Sequence, residues 1–220
     1  KRDYRIDEDR IIVRGFSLGG AACWHLATHH AWQWCAANPG AGFSETEQFL
    51  NFFQGEKLQP QPWERKLWNL YDATAVAGNL FNVPTVAYSG ELDKQKQAAD
   101  LMAAVLEKGE MTLTHIIGPQ TAHKYEAGAK TEVARRIDQL AQKGRGNTFT
   151  DSVETYTLSY NRSEFASIDG LMEHWNRAKL ILMGADAQML AVHVTNIESF
   201  SLHLPPGRGP SLPGYEYLKS

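Results

Sequence analysis

Hydrophobic and polar positions follow two alternating periods over the first two thirds of the chain. Ile11 to Arg14 is a short apolar run, and Ser17 onward reads as a helix through about Thr28. Cys35 to Asn38 reads as a short strand, and Pro84 to Ser89 as another, ended by Gly90. Ala98, Leu101, Met102, Val105 and Leu106 then recur at helical spacing. Leu113 to Ile117 is strand-like, and Val133, Ile137, Leu140 and Ala141 line one face of a helix that Gly144 can stop. Strands alternating with helices predict an α/β fold, a mostly parallel sheet with covering helices.

Between Gly40 and Asn82 the periodicity weakens. Phe49, Leu50, Phe52, Phe53, Trp63, Leu67, Trp68 and Leu70 predict short helices that either roof a pocket or serve ordinary packing, with packing preferred. After Lys143 the long helical patterns stop. Gly144, Gly146 and Asn147 form a linker. Tyr156, Leu158 and Tyr160 alternate with polar residues, as do Phe200, Leu202 and Leu204, while Lys179–Met183 and Met189–Thr195 are strand-like. The expected organisation is an α/β unit over 1–143, a small β-rich domain over 144–204 resembling a half-sandwich, and an extended Pro/Gly-rich tail over 205–220.

Composition changes this picture little. A net charge of −3, with no run of Lys and Arg longer than two, argues against nucleic acid or an anionic membrane as partner. No apolar stretch approaches the roughly 18 residues that span a bilayer. Cys23 and Cys35 form no metal or redox motif; two buried free thiols are preferred over a disulfide, and the compartment stays open. The chain starts at Lys1 and shows no signal peptide, which leaves a fragment or a processed form as expectations.

The chemistry concentrates at Gly15-Phe16-Ser17-Leu18-Gly19-Gly20, where an apolar strand runs into a helix. This is a G-x-S-x-G pattern in a strand–turn–helix context. The turn is expected to be so tight that side chains at either Gly15 or Gly19 would collide with backbone. It would hold Ser17 strained, with its hydroxyl exposed over a helix N-terminus. The backbone N–H of Leu18 is then a candidate oxyanion donor. The pattern alone arises by chance in about one chain in ten of this length, so its partners matter. His123, in the loop Gly118-Pro-Gln-Thr-Ala-His-Lys beyond a strand, is the candidate general base. Asp93, after the strand Pro84 to Ser89, is the candidate orienting acid; Glu91 is a close rival and Asp72 an outsider, and Asp93 equally fits as a helix cap. His25, His29 and His30 fall on the helix after Ser17 and His115 inside a strand. His174, His193 and His203 lie in the β-rich region.

With these residues in hand, residues 1 to about 143 resemble the C-terminal half of an α/β-hydrolase catalytic domain. They are most similar to prolyl-oligopeptidase-like (peptidase family S9) proteins and related esterases. The segment from Tyr4 to Gly20 matches the family's arginine, strand and nucleophile-elbow pattern, and Asp93 and His123 match its acid and base. The resemblance implies hydrolysis of a small ester or peptide through an acyl-enzyme, with no metal or organic cofactor, in proteins that are often exported. Leu18 departs from the Tyr or Asn usual after the nucleophile of prolyl peptidases and is more familiar among esterases. Only 16 residues precede Ser17, whereas the fold places several strands there, including the loop that supplies a second oxyanion donor. A fragment of a longer protein is therefore expected, poorly soluble and inactive in isolation. The competing expectation is a catalytically silent hydrolase-like scaffold whose β-rich region binds a partner or carbohydrate. Trp175, Tyr156 and Tyr160 would be its stacking face, although core packing is preferred for them.

Overall fold

The computed structural model describes residues 4–146, 150–184 and 190–204. Asn147 of the expected linker, Met189 and the tail from Pro205 lie outside the described residues. Four strands, β1 (Ile12–Phe16), β2 (Ala36–Gly40), β3 (Val86–Gly90) and β4 (Thr114–Gly118), form one sheet in the order β1-β2-β3-β4. All neighbours are parallel, and the register pairs Phe16 with Gly40 and Gly90 with Gly118. The C-terminal ends of the strands therefore share one edge, where open α/β sheets place their ligands.

The two-residue period of each strand explains how both faces are covered. Val13, Ala37 and Ala87 point to one side and pack with α1 (Leu18–His29), with a turn-rich run over Ala73–Asn82, and, across β3, with Ala99, Met102 and Leu106. Ala36, Val86 and Tyr88 point to the other side and meet Ala129, Val133 and Ile137. The segment β2 to β3 carries two short helices, α2 (Thr46–Phe49) and α3 (Pro62–Trp68). The sheet is completed by α4 (Lys96–Lys108) and α5 (Ala127–Lys143), and Gly144 ends α5 at φ 67°, its N–H bonded to the carbonyls of Leu140 and Ala141. Burying Val133 and Ile137 completely contributes about 1.5–3 kcal/mol each. Cys23 and Cys35 are both buried free thiols.

Beyond α5 lies an antiparallel sheet of β5 (Thr150–Thr155), β7 (Ala178–Gly184) and β8 (Leu190–Thr195), in the order β5-β7-β8. A second sheet pairs β6 (Ala166–Leu171) with β9 (Ile197–Leu202). Val153, Ile168, Leu180 and Leu182 close a core between them. Two details depart from the sequence reading. Tyr156 to Tyr160 is not a strand: Leu158–Tyr160 is a single tight helical turn. Thr155 Oγ1 donates to the Thr157 carbonyl, and Thr157 Oγ1 accepts from the Ser159 N–H. These local bonds offer the backbone an alternative to a ladder. Strand β6 was not foreseen, because its sequence Ala-Ser-Ile-Asp-Gly-Leu alternates only in part and shifts register around Gly170.

Buried polar side chains join the two regions. Asn79 Nδ2 donates to the carbonyls of Thr28 and Glu154, both at 2.9 Å, and Asn79 Oδ1 accepts from the Glu154 N–H at 2.7 Å. One turn later Asn82 pairs with both backbone groups of Ser152. Residues three apart on a helical turn thus meet residues two apart on β5, and the two amides continue the hydrogen bonding of that strand's edge.

Candidate active site

Ser17 sits between β1 and α1 at φ 57° and ψ −120°, a conformation strained for any residue with a Cβ. Its N–H donates to the Gly40 carbonyl at 2.8 Å, and its carbonyl accepts from the Ala21 N–H. The turn is as tight at Gly15 as expected, where a Cβ would stand 1.8 Å from the Gly19 carbonyl oxygen. At Gly19 the expectation fails: a Cβ there meets nothing within 4 Å, because it points away from the strand. Leu18 is the first residue of α1, so its N–H has no carbonyl one turn back to accept it. Its side chain is 74% exposed beside the serine.

The three sequence-chosen residues come together at the common strand edge. His123 Nε2 lies 2.8 Å from Ser17 Oγ, and His123 Nδ1 lies 2.8 Å from Asp93 Oδ2. A carboxylate only accepts, so Nδ1 carries the proton and donates to Asp93. In neutral imidazole that leaves Nε2 as the acceptor for the Ser17 hydroxyl. Asp93 is 7% exposed, and its other oxygen, Oδ1, accepts from the Gln95 N–H at 2.9 Å. Asp93 therefore does not cap α4, whose N-cap is Gln95 without a side-chain cap bond; its second oxygen instead closes a local turn just before that helix.

The rival carboxylates are engaged elsewhere. Glu91 accepts from the N–H of Gln120, a residue held at φ 47°, and so shapes the loop that presents His123. Asp72 accepts from the N–H and the hydroxyl of Thr46, closing the segment between β2 and β3 onto its own start. Burial, reinforced by the charges of Glu45 and Glu47 and opposed by the Thr46 bonds, pushes the Asp72 carboxyl up to about 7. His115 faces Ser89 within the sheet. His25, His29 and His30 meet the ring of Tyr160, the nearest at 4.6 Å from His29, so this tyrosine packs against α1 and does not present a sugar-stacking face.

Other residues hold the site, and of these the sequence pointed only to Phe16, within the elbow, and to Gly90, beside the candidate acid. The Phe16 ring lies 4.9 Å from the His123 ring. Tyr88, fully buried, donates its hydroxyl to the Lys124 carbonyl and accepts from the Glu126 N–H, which pins the chain just after His123. A Cβ at Gly90 would stand 2.2 Å from the Thr121 carbonyl, so the loop can lie this close to β3 only because position 90 is glycine. Beside His123 a groove of about 310 Å³ runs past Leu92, Ala122 and Phe53. The segment between β2 and β3 thus forms a wall of the site as well as packing on itself. Among the described residues no cluster of His, Cys, Asp or Glu is placed to hold a metal, and no helix is long and apolar enough to cross a membrane.

The family model of the prolyl oligopeptidase family matches residues 1–147. The chain belongs to that family. In this prolyl oligopeptidase family member Ser17, Asp93 and His123 all fall within the matched residues. Among solved structures it is similar to an S-formylglutathione hydrolase of Staphylococcus aureus, at 14% identity and TM-score 0.46, over 64% of this chain and 58% of that one. It is also similar to a puromycin-hydrolyzing peptidase of Mycobacterium tuberculosis, at 19% identity and TM-score 0.49, over 64% of this chain and 22% of that one. An acylaminoacyl peptidase of Pyrococcus horikoshii gives 18% identity and TM-score 0.48, over 62% of this chain and 24% of that one. This family member thus spans between about a fifth and three fifths of the length of these proteins. The search of curated proteins found no match.

Proposed function

We propose that the protein is a serine hydrolase that cleaves a small ester or peptide bond through an acyl-enzyme, with Ser17 as nucleophile, His123 as general base and Asp93 as its orienting acid. The observation that carries this reading is the unbroken chain Ser17 Oγ to His123 to Asp93, with both contacts at 2.8 Å. Ser17 Oγ attacks the substrate carbonyl carbon while its proton passes to His123 Nε2. The charge on the former carbonyl oxygen is met by the Leu18 N–H and the N-terminus of α1. Collapse of the intermediate breaks the bond to the leaving group, which takes the proton back from Nε2. A water then repeats the sequence on the acyl-serine, with His123 again as base. Asp93 holds the imidazole in the required tautomer and stabilises the imidazolium. In this reading residues 4–146 carry the chemistry, and residues 150–204 are a separate β-rich unit stapled to them by Asn79 and Asn82.

The test is labelling with a fluorophosphonate in the protein's full natural length. Wild type should label covalently and Ser17→Ala should not. A folded wild-type protein that resists the probe would overturn the catalytic reading.

A further inference from the structure

We propose that Glu91 is a positioning residue for the reaction: its carboxylate holds Gln120 in the left-handed conformation and so fixes where the loop places His123. The inference rests on the assignment of Ser17, His123 and Asp93 as nucleophile, base and acid, and adds a residue that acts through the base. Glu91 stands two residues before Asp93, and Gln120 three residues before His123. Glu91 Oε2 accepts from the Gln120 N–H at 2.7 Å. On either side of this bond the two segments are tied through backbone. The Glu91 N–H donates to the Gly118 carbonyl and the Leu92 N–H to the Thr121 carbonyl, both at 2.9 Å. The next contact along the two segments is His123 Nδ1 with Asp93 Oδ2. Acid and base therefore sit at the end of a short ladder, and the Glu91 side chain supplies the rung at Gln120.

That rung matters because of the conformation it holds. Gln120 has φ 47°, in the region that a side chain disfavours and glycine adopts freely. Pro119 followed by a left-handed residue is the order of a turn that ordinarily takes glycine at the second of these positions. With glutamine there, the loop by itself favours other conformations, and a charge-assisted bond to the Gln120 N–H selects the left-handed one. Thr121 Oγ1 donates to the Pro119 carbonyl across Gln120, which closes the same turn from its other end. If Gln120 reverted, Thr121 and Ala122 would leave the cradle at Gly90, where a Cβ would stand 2.2 Å and 2.3 Å from their carbonyl oxygens. His123 is the next residue and would move with them. Glu91 thus acts through the loop and not on the reacting atoms.

The experiment measures kcat and KM for p-nitrophenyl acetate in the full-length protein, with a thermal melt of each variant. Glu91→Ala should lower kcat by about tenfold to a hundredfold, the cost of a misplaced catalytic group, with KM little changed. The low-field proton resonance of the His123 Nδ1–H should exchange faster with water in the same variant. Glu91→Gln keeps an oxygen that can accept from the Gln120 N–H and should recover most of the loss. The decisive variant combines Glu91→Ala with Gln120→Gly. Glycine takes the left-handed conformation unaided, so kcat should return towards the wild-type value. An unchanged kcat in Glu91→Ala, or a loss that Gln120→Gly leaves in place, overturns the proposal. A loss as deep as that of Asp93→Asn, which Glu91→Gln does not repair, also overturns it and makes Glu91 a direct partner of the histidine. Fluorophosphonate labelling of wild type reports separately on the nucleophile. A labelled wild type with an indifferent Glu91→Ala refutes the positioning role alone, and an unlabelled wild type refutes both.

Discussion

The two regions of the chain bury polar residues for opposite ends. In residues 4–146 the buried Asp93 directs one oxygen at a half-exposed histidine, and the pair ends on a partly exposed serine. Among the described residues of 150–204 the buried carboxylates Asp151 and Glu154 are turned to backbone and to a guanidinium, with one Glu154 oxygen left without a hydrogen bond. Asp151 accepts from the N–H groups of Ser152 and Phe165, and Glu154 is joined by the Arg177 guanidinium. The amides of Asn79 and Asn82 take up the rest of the strand edge. A buried carboxylate is costly in either place unless partnered. What separates a site from a joint is whether the chain of partners ends on a reactive atom within reach of a ligand.

The comparison can be broken most forcefully at the site. Asp93→Asn should lower kcat by about four orders of magnitude, because an amide can donate to Nδ1 and so stabilises the wrong tautomer. The melting temperature should change little; steady-state kinetics and a thermal melt on the same sample check both. Next in size is the elbow. Gly15→Ala should prevent folding, since its Cβ would stand 1.8 Å from the Gly19 oxygen, whereas Gly19→Ala should be neutral or up to about 1 kcal/mol more stable. Soluble yield and urea unfolding distinguish the two, and a well-folded Gly15→Ala protein would refute the geometry of the turn.

The joint should respond in the reverse way. Asn79→Ala strips the partners from Thr28 and Glu154 and should cost about 2–5 kcal/mol. Limited proteolysis should then release the β-rich region while Ser17 still reacts with a fluorophosphonate; loss of labelling before proteolysis would show that the regions depend on each other. The smallest effect belongs to Asp72. Its carboxyl is raised to about 7, above its unfolded value of about 4. The neutral form therefore favours the fold, fully below pH 4, and this contribution is lost as pH rises through 7. Asp72→Asn should flatten the stability profile between pH 4 and 7 and add about 1–2 kcal/mol above it. Chemical denaturation across that range provides the check.

Elements with a strong local period were legible in advance. The strand into Ser17, the helices over residues 96–108 and 127–143 and the Gly144 stop all rest on spacing and turn chemistry within a few residues. The order Ser17, Asp93, His123 was legible because each follows a strand end. Tyr156–Tyr160 misled because short side-chain bonds from Thr155 and Thr157 outweigh an alternating pattern. The support of the chain just after His123 was not legible at all. Tyr88 is simply an apolar strand residue until β3 and β4 are paired and its hydroxyl is found between Lys124 and Glu126.

By itself, then, the sequence determined the parallel sheet, the elbow and the candidate nucleophile and base, because period and turn stereochemistry act between near neighbours in the chain. The sequence already ranked Asp93 ahead of Glu91 and Asp72, but the contact of its carboxylate with His123 needed the tertiary structure, as did the wall at Phe53 and the splice of Asn79 and Asn82 into a strand edge. These depend on which atoms come within about 3 Å of one another across dozens of residues, and only the packed sheet and its loops decide that.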